Sequence, residues 1–440
     1  MPKPQRVAFF LYEFPALSET FVLNQITGLI DLGHDVTILA ERRGADAFEH
    51  PDFARYRLRE RTKYLAMPVS RPARLAGVPF ALAGSEHRGA LLRSFSIARY
   101  GAESRSLRLF YWAAMLANDG DYDIIHCHFG PRGRMAAFLR EIGALRGKLV
   151  TVFHGVDASA YLRHNPQIYR HLFASGDLFL PVSDYFRGRL IAYGCDPAHI
   201  HVHRMGVDLR RFPFRPPPIR QIDEPLRILT VARLVEKKGI EFGLRALAEI
   251  KSQNAKFRYT IVGEGLERPE LESLATGLGL GDVVSFLGWR DHAHISALMK
   301  DSHVLLYPSV TDSNGDQEGV PVSLMEAMAT GLPVVTTRHS GIPELIEDGV
   351  TGLLAGERDS HGLADALVRI LSSPELGERL ARAARALVVS DLDIEILNRR
   401  LVIHFEALSR RPPESGESRQ PAGSGVWRNV QRLLPELLNL

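Results

Sequence analysis

Residues 6–39, RVAFFLYEFPALSETFVLNQITGLIDLGHDVTIL, decide the fold. The first part is a short apolar run that is rich in β-forming residues and ends at Pro15, which is typical of a buried strand. The next part has helically spaced apolar residues and stops at Gly33; these are Phe21, Val22, Ile26, Leu29 and Ile30. A second apolar run, DVTIL, follows. Strand, helix and strand in this order predict a βαβ unit of a parallel sheet covered by helices.

The same alternation continues along the chain. The first half contains DIIHCHFG, LVTVFHGVD and LFLPVSDYFRGRLIAYG, and a proline-rich segment then interrupts the pattern. It resumes with LRILTVARL, FRYTIVGEG, VVSFLG, HVLLYPSV and LPVVTT. We therefore predict an α/β protein with two doubly wound, Rossmann-like domains, residues 1–212 and 226–390, joined by a linker at 213–225. Ligands bind at the carboxyl ends of such strands, so the cleft between the domains is the expected site.

Two further segments follow the second domain. Residues 391–410 have a helical pattern, and we expect this helix to pack back on the first domain. Residues 411–440 are rich in proline, glycine and serine, which predicts a disordered tail. The tail ends in VWRNVQRLLPELLNL, a short amphipathic piece that could dock on the protein or on a membrane.

Composition limits the class of protein. The chain has 440 residues, of which 45% are hydrophobic and 24% charged, as expected for a folded protein of two or three domains. Its two cysteines, Cys127 and Cys195, belong to no metal-binding motif, which favours a reducing compartment. Glu13 interrupts the first apolar run too early for a signal peptide, and no stretch approaches the ~20 apolar residues of a membrane span. We expect a cytoplasmic protein, at most peripheral to the inner face of the membrane.

The positive charge is concentrated in one segment. Residues 51–110 contain twelve arginines and lysines against four acidic residues. This composition fits either solvated helix faces or a surface for anionic lipid head groups or an anionic substrate. The apolar stretch LAGVPFALAG in the same segment favours contact with an anionic membrane surface. Without interleaved aromatic residues or a nucleic-acid motif, no nucleic-acid partner is predicted.

Three groups of candidate site residues follow predicted strands. Arg233 and Lys238 lie in TVARLVEKKG, where two cations suit a diphosphate, although such residues alone are usually surface charge. Gly263 and Gly265 form a turn that fits either part of a nucleotide site or a tight strand-to-helix connection. His154 follows the strand LVTVF, where a histidine can belong to a site or simply be structural.

A fourth group lies in DSNGDQEGVPVSLMEAMATGLPVV, residues 312–335, which contains Glu318 and Glu326. Ser323 and Glu326 have the spacing of a capping box, which would explain Glu326 structurally. Alternatively, both carboxylates bind hydroxyls of a phosphorylated ligand at the helix N-terminus. Glu318 has no comparable structural explanation, because it lies in the loop before the predicted helix.

No metal is predicted. An EF-hand calcium loop that began at Asp312 would need glycine at its sixth position and glutamate at its twelfth, where the sequence has Gln317 and Ser323. His126 and His128 share one strand face, but the sequence indicates no further ligand near them.

Taken in order, the arginine and lysine, the GEG turn, YPSV, the two glutamates and GLPVVTT…SGIPELIEDGVTGLL resemble glycosyltransferase family 4. This family has the GT-B fold, uses nucleotide-sugar donors and retains the anomeric configuration. The resemblance covers residues 226–384. FPALSETFVLNQI and IIHCHFG are similar to members that build bacterial exopolysaccharides of the colanic-acid and amylovoran type.

The resemblance implies a role for each matching residue. Arg233 and Lys238 would hold the donor diphosphate, Glu318 the sugar hydroxyls and Glu326 the ribose, while His154 would lie near the C6 hydroxyl of the sugar. The implied catalytic set is His154, Glu318, Arg233 and Lys238. The implied donor site comprises Arg233, Lys238, Gly263, Gly265, Trp289, Arg290, Glu318, Gly319, Val320, Pro321, Val322, Ser323 and Glu326. The implied acceptor-side residues are Ser18, Glu19, Thr20 and His128.

The expected reaction is retaining transfer of a hexosyl unit from a UDP- or GDP-sugar to a glycan acceptor, with no cofactor. The expected acceptor is linked to polyprenyl diphosphate. Many family members have an aromatic residue and a second glycine where this chain has Val320 and Pro321, which leaves the donor sugar open. The alternatives are a catalytically silent, nucleotide-sugar-binding scaffold subunit, or an epimerase or phosphorylase with the same fold.

Overall fold

The first domain is built around a parallel sheet of six strands. The computed structural model describes residues 3–16, 19–44, 51–117, 119–218 and 224–410. The strands are β1 (Arg6–Phe14), β2 (Asp35–Arg43), β3 (Thr62–Tyr64), β4 (Asp121–His128), β5 (Arg146–Phe153) and β6 (Leu178–Pro181). They lie in the order β3-β2-β1-β4-β5-β6. The βαβ unit predicted from residues 6–39 is confirmed, because β1 and β2 pair in parallel from Arg6 and Asp35 onward.

Helices cover this sheet. They are α1 (Thr20–Asp31), α2 (Asp52–Arg55), α3 (Arg71–Ala83), α4 (Arg88–Arg93), α5 (Ile97–Tyr100), α6 (Ala102–Arg105), α7 (Arg108–Leu116), α8 (Gly130–Ile142), α9 (Ala160–His164), α10 (Arg170–Ser175) and α11 (Asp184–Ala192). A 3₁₀ turn follows at Pro197–His199. The helical spacing seen in α1 gives one apolar face, and Val22, Ile26 and Leu29 on that face are buried.

The second domain repeats this architecture. Its strands are β7 (Leu226–Val231), β8 (Phe257–Val262), β9 (Val284–Gly288), β10 (Val304–Tyr307), β11 (Val334–Thr337) and β12 (Leu353–Ala355), in the order β12-β11-β10-β7-β8-β9. Its helices are α12 (Ile240–Ser252), α13 (Arg268–Gly277), α14 (His292–Asp301), α15 (Val322–Thr330), α16 (Ser360–Ser372) and α17 (Pro374–Asp391). Short 3₁₀ turns lie at Glu236–Lys238 and Ile342–Glu344. The predicted pair of doubly wound α/β domains is confirmed.

Strand order determines where ligands can bind. In each sheet the chain direction across the sheet reverses once, between β1 and β4 in the first domain and between β7 and β10 in the second. Doubly wound sheets bind ligands at this switch point, beyond the carboxyl ends of the strands. Arg233 follows β7 and Glu318 lies in the loop after β10, so two candidate residues lie at the switch point of the second domain.

The last helix, α18 (Ile394–Ser409), returns to the first domain. The side-chain amide of Asn398 donates to the carbonyl of Asn24 on α1 at 3.4 Å. The ring of Phe405 packs edge-on against His126 of β4, with ring centroids 5.5 Å apart. The segment from α17 to α18 therefore connects the second domain back to the first, in addition to the linker at 213–225. The tail at 411–440, part of the linker and Ser18 lie outside the described residues.

Candidate active site

The two domains touch where loops from their facing edges meet. The backbone N–H of Gln317, in the loop after β10, donates to Oγ of Ser159, in the segment after β5, at 3.1 Å. A Cβ atom added to Gly319 would lie 2.0 Å from the carbonyl oxygen of His154. Gly319 is therefore required by the contact between domains. The sequence resemblance had placed Gly319 in the implied donor site without indicating this contact.

Glu318 lies in a buried cluster with two lysines. Nζ of Lys238 donates to Oε2 of Glu318 at 2.8 Å, and Nζ of Lys237 lies 3.4 Å from Oε1. The Tyr307 hydroxyl is 2.5 Å from Nζ of Lys238. Burial alone raises the pKa of Glu318, but the charges of Lys238 and Lys237 outweigh it and lower the pKa to about 2. Glu318 is therefore ionised at neutral pH, and Lys238 is its main counter-charge.

A histidine orients the backbone at this point. The backbone N–H of Glu318 donates to Nε2 of His339 at 3.0 Å, so the proton of the neutral ring must be on Nδ1. Nδ1 lies 2.6 Å from the carboxylate of Glu357, which accepts that proton's hydrogen bond. The loop that carries Glu318 is thus held from behind by a hydrogen-bond chain.

Glu326 differs from Glu318 because no positive charge among the residues that the structure describes offsets the burial of its carboxylate. Its side chain is 7% exposed, and none of the described residues forms a hydrogen bond or ion pair with its carboxylate. Burial raises the pKa of Glu326 to about 7. A buried carboxylate without a protein partner is costly, and such groups need an explanation beyond folding.

The capping-box explanation for Glu326 is wrong. Pro321 occupies the N-cap position of α15, and the helix has no side-chain capping hydrogen bond. Ser323 is already inside the helix, as its second residue. The serine therefore cannot take the extended N-cap conformation that a capping box requires.

Arg233 lies in the loop after β7, where it is exposed. The pKa of Glu19 is raised to about 7 by burial and by Glu13, and the charge of Arg233 acts against both. Within the described part of the chain, no carboxylate pairs with Arg233. Glu19 directly precedes Thr20, the first residue of α1, and makes no side-chain capping bond. A free cation from one domain thus lies near an acidic group of the other.

His154 borders the cleft, and its ring contacts His128 on the side away from the cleft. Its Nε2 lies 2.9 Å from Nδ1 of His128. The rings of Phe21 and Phe129 lie 4.9 and 4.6 Å from its ring. Burial lowers the pKa of His154 to about 3, so the ring is neutral at physiological pH. His128, which was expected on the acceptor side, is fully buried and has no surface of its own to offer an acceptor.

Gly263 and Gly265 of the GEG turn lie so close to the neighbouring loop that a Cβ atom has no room. A Cβ atom on Gly263, whose φ is +138°, would lie 1.8 Å from the carbonyl of Ala232. A Cβ atom on Gly265 would lie 2.1 Å from the carbonyl of Leu234. The turn thus packs along the loop that carries Arg233.

Trp289 and Arg290 follow β9 at the same edge of the sheet. The Trp289 side chain is 54% exposed, and Nη1 of Arg290 donates to the Trp289 carbonyl at 2.8 Å. The exposed indole offers a flat face to a planar ligand group.

Sequence reasoning missed several members of the site. Lys237 and His339 contact Glu318, and Tyr307 contacts Lys238. Tyr307 ends the predicted strand in HVLLYPSV, and His339 comes two residues after the end of β11. Their positions at strand carboxyl ends could have identified them. In the ranges that the structure covers, no group of three or more His, Cys, Asp or Glu side chains could hold a metal ion.

The architecture defines a class of protein. Two doubly wound parallel sheets meet through their carboxyl-end loops, and a buried lysine–glutamate cluster lies at the switch point of the second sheet. This is the GT-B architecture of glycosyltransferases.

The comparisons with known proteins agree with this class. Residues 215–387 match the family model Glycosyl transferases group 1, and residues 18–211 match Glycosyltransferase Family 4. The chain is 43% identical over 408 residues to the colanic acid biosynthesis glycosyltransferase WcaL of Escherichia coli (strain K12), covering 92% of this chain and 100% of WcaL. It is 40% identical over 412 residues to the amylovoran biosynthesis glycosyltransferase AmsK of Erwinia amylovora, covering 92% and 100%. The chain therefore belongs to glycosyltransferase family 4 and is a glycosyltransferase.

A solved structure shares the fold. The Anabaena protein Alr3699/HepE, in complex with UDP and glucose, superimposes with a TM-score of 0.69 at 19% sequence identity. The match covers 92% of this chain and 100% of that protein.

Proposed function

We propose that the protein is a retaining hexosyltransferase that moves a sugar from a UDP- or GDP-sugar to a lipid-linked intermediate of a bacterial exopolysaccharide. The observation that carries the proposal is the contrast between two buried glutamates, since Glu318 is paired with Lys238 while Glu326 has no partner among the described residues. WcaL and AmsK are named for exopolysaccharide biosynthesis, and HepE is described with UDP-glucose, which supports both halves of the proposal.

The diphosphate of the donor binds to Arg233, Lys238 and the N-terminus of α15. Arg233 is an unpaired cation, and the N-terminal backbone N–H groups of a helix favour an anion. When Lys238 turns to the phosphate, the ionised carboxylate of Glu318 becomes free to accept hydrogen bonds from sugar hydroxyls. The backbone of residues 319–322 approaches the same sugar and phosphate.

The nucleoside occupies the rest of this edge of the sheet. Glu326 accepts hydrogen bonds from the ribose hydroxyls, which would satisfy its buried carboxylate. The exposed indole of Trp289 and the neighbouring Arg290 lie where the base can stack. The turn at Gly263 and Gly265 packs against the loop that carries Arg233.

In the transfer step, the bond between the anomeric carbon and the phosphate oxygen breaks. Its electron pair leaves with the nucleoside diphosphate, where Arg233, Lys238 and the helix N-terminus stabilise the added charge. The acceptor hydroxyl attacks from the same face and gives its proton to the departing phosphate. No protein nucleophile is required. His154 lies at the C6 hydroxyl of the sugar, and Glu19 and Thr20 lie on the acceptor side.

The acceptor is held at a membrane surface by α3. None of the thirteen residues of α3 is buried, and Leu75 and Phe80 are 66% and 80% exposed. The nearby Val69 is 93% exposed. Arg71 and Arg88 are exposed, and no described carboxylate pairs with them. Exposed apolar residues beside unpaired arginines suit the interface of an anionic membrane. None of the described helices is long and apolar enough to cross a membrane.

Flotation with vesicles tests this surface. The wild-type chain should float with vesicles containing anionic phosphatidylglycerol and bind neutral phosphatidylcholine vesicles less. Leu75→Ser with Phe80→Ser should reduce binding at least tenfold, because burying each side chain contributes about 1.5–3 kcal/mol. Val389→Ser is the matched control, since Val389 is 44% exposed on α17 in the other domain. Equal binding of the double variant and the wild type would contradict the assignment to α3.

Thermal unfolding with nucleotides tests the donor site. The purified protein is heated with UDP, GDP, ADP and their sugars, first without added metal and then with magnesium. A ligand present at about 100 times its Kd should add ~2.7 kcal/mol of stability. Stabilisation by one nucleotide that is smaller in Glu326→Gln, with each protein compared with its own unliganded state, would support the proposed donor site. No stabilisation by any of them would contradict it.

A further inference from the structure

A hydrogen-bond chain runs from the cleft into the first domain. Nε2 of His154 lies 2.9 Å from Nδ1 of His128, and Nε2 of His128 lies 3.0 Å from Oε1 of Gln25. The same oxygen of Gln25 lies 3.0 Å from Nε2 of His126. Gln25 is 2% exposed on α1, and His126 and His128 have no exposed surface. The chain therefore cannot exchange its partners for water.

The chemistry of these groups assigns each proton. The amide oxygen of Gln25 only accepts, so His126 and His128 both carry their proton on Nε2. Burial and the neighbouring His126 and His154 hold the pKa of His128 well below its usual range, so the ring is neutral and its Nδ1 has a free lone pair. That nitrogen must accept a hydrogen bond from Nε2–H of His154. Nδ1 of His154 is then unprotonated.

The orientation of the Gln25 amide decides this direction. Its Oε1 lies 3.0 Å from Nε2 of both rings, so both rings donate to it. Nδ1 of His126 is then a buried acceptor without a hydrogen-bond partner in the described ranges. A reversed amide would donate to both rings and would place the proton of His154 on Nδ1.

We infer that Gln25 is a positioning residue that fixes His154 as the Nε2–H tautomer, so that His154 presents a hydrogen-bond acceptor to the donor sugar. This rests on the proposed function, which has His154 at the C6 position of that sugar. A hydroxymethyl group can donate to Nδ1, whereas the carboxylate of a uronic acid cannot, because two acceptors would then face each other. The donor is therefore a hexose with a free C6 hydroxyl.

The tautomer is measured directly by NMR on the full chain with ¹⁵N-labelled histidine. The ring nitrogens of His154 are assigned from the signals that disappear in His154→Asn. The expected spectrum shows a protonated Nε2 and an unprotonated Nδ1 for His154. A protonated Nδ1 would overturn the inference, and this measurement needs no substituted Gln25.

Donor preference gives the functional readout. The wild type should have at least a 100-fold higher kcat/KM for a UDP- or GDP-hexose than for the matching hexuronate, since an unpaired buried polar group is rejected strongly. In Gln25→Glu, the added carboxylate raises the pKa of His128, and the protonated ring donates from Nδ1 to His154. His154 then carries its proton on Nδ1, so the preference for the hexose should fall at least tenfold.

Asn24→Asp is the matched control. It makes the same amide-to-acid change one position earlier on α1, in the cavity lined by Asp31, Arg210 and Asn398. Its donor preference should equal that of the wild type. An unchanged preference in Gln25→Glu would overturn the inference. If the wild type transfers the sugar but His154 carries its proton on Nδ1, the tautomer assignment is refuted and the proposed function stands. Absence of donor binding would refute the function instead.

Discussion

The isosteric change Glu326→Gln should make the unliganded protein more stable, although the residue belongs to the proposed site. The pKa of Glu326 is about 7, against an ordinary value of 4.5. This difference of about 2.5 units, at about 1.36 kcal/mol per unit, amounts to about 3 kcal/mol. Because no described group offsets the buried charge, the whole amount is a penalty on the ionised form.

The sign follows from proton binding. With a raised pKa, the folded protein binds the proton more tightly than the unfolded chain, so stability falls as pH rises from 4.5 to 7. Glutamine has no charge and avoids this penalty. Glu326→Gln should therefore add up to about 3 kcal/mol at pH 8 and less than about 1 kcal/mol at pH 5. The same substitution should weaken nucleotide binding at least tenfold, because the ribose loses an ionised acceptor.

Glu318→Gln is the matched comparison and should have the opposite sign. Its pKa of about 2 lies below the ordinary 4.5, so its stabilisation is complete above pH 4.5 and is lost as pH falls toward 2. Removing the carboxylate leaves the buried Lys238 without a counter-charge, which costs about 3–5 kcal/mol at pH 8. Lys237 keeps Asp316, whose Oδ2 lies 2.9 Å from its Nζ.

Urea unfolding of the wild type and both variants, followed by circular dichroism at pH 5 and pH 8, measures these effects. The reasoning would be refuted if Glu326→Gln were less stable than the wild type at pH 8, or if its effect were the same at both pH values.

Three further substitutions test separate parts of the site. Arg233→Ala should lower kcat about 10²–10³-fold without changing Tm, because the exposed cation acts on the transition state, and wild-type turnover would contradict the phosphate assignment. Gly319→Ala places a methyl group 2.0 Å from the His154 carbonyl and should lower kcat/KM at least 100-fold. The control Gly277→Ala has no atom within 4 Å of its added Cβ and should behave as wild type. Equal rates in both would show that the domains do not need this contact. Trp289→Ala should weaken nucleotide binding about tenfold at unchanged Tm in calorimetric titration, and unchanged affinity would exclude it from the base site.

Much of the fold could be predicted because it depends on local pattern. The apolar run that became β1 and the helical spacing that became α1 are visible within residues 6–39. Repetition of that pattern after the proline-rich linker predicted a second domain. The position of Arg233 and Glu318 beyond strand ends followed from the same reasoning, since parallel strands share a carboxyl edge.

Contacts between distant parts of the chain could not be predicted in the same way. The hydrogen-bond partner of His128 is Gln25, more than one hundred residues away, and the need for glycine at 319 depends on a carbonyl of the other domain. The capping box failed for a local reason, because the spacing of Ser323 and Glu326 says nothing about which residue begins the helix. Pro321 took that place, which put Ser323 inside the first turn.

The stereochemistry of transfer tests the central claim most directly. The donor that stabilises the protein is incubated with its lipid-linked acceptor, and the anomeric configuration of the new glycosidic bond is read by ¹H NMR. The account predicts that an α-linked nucleotide sugar gives an α-linked product. A β-linked product would contradict the same-face mechanism.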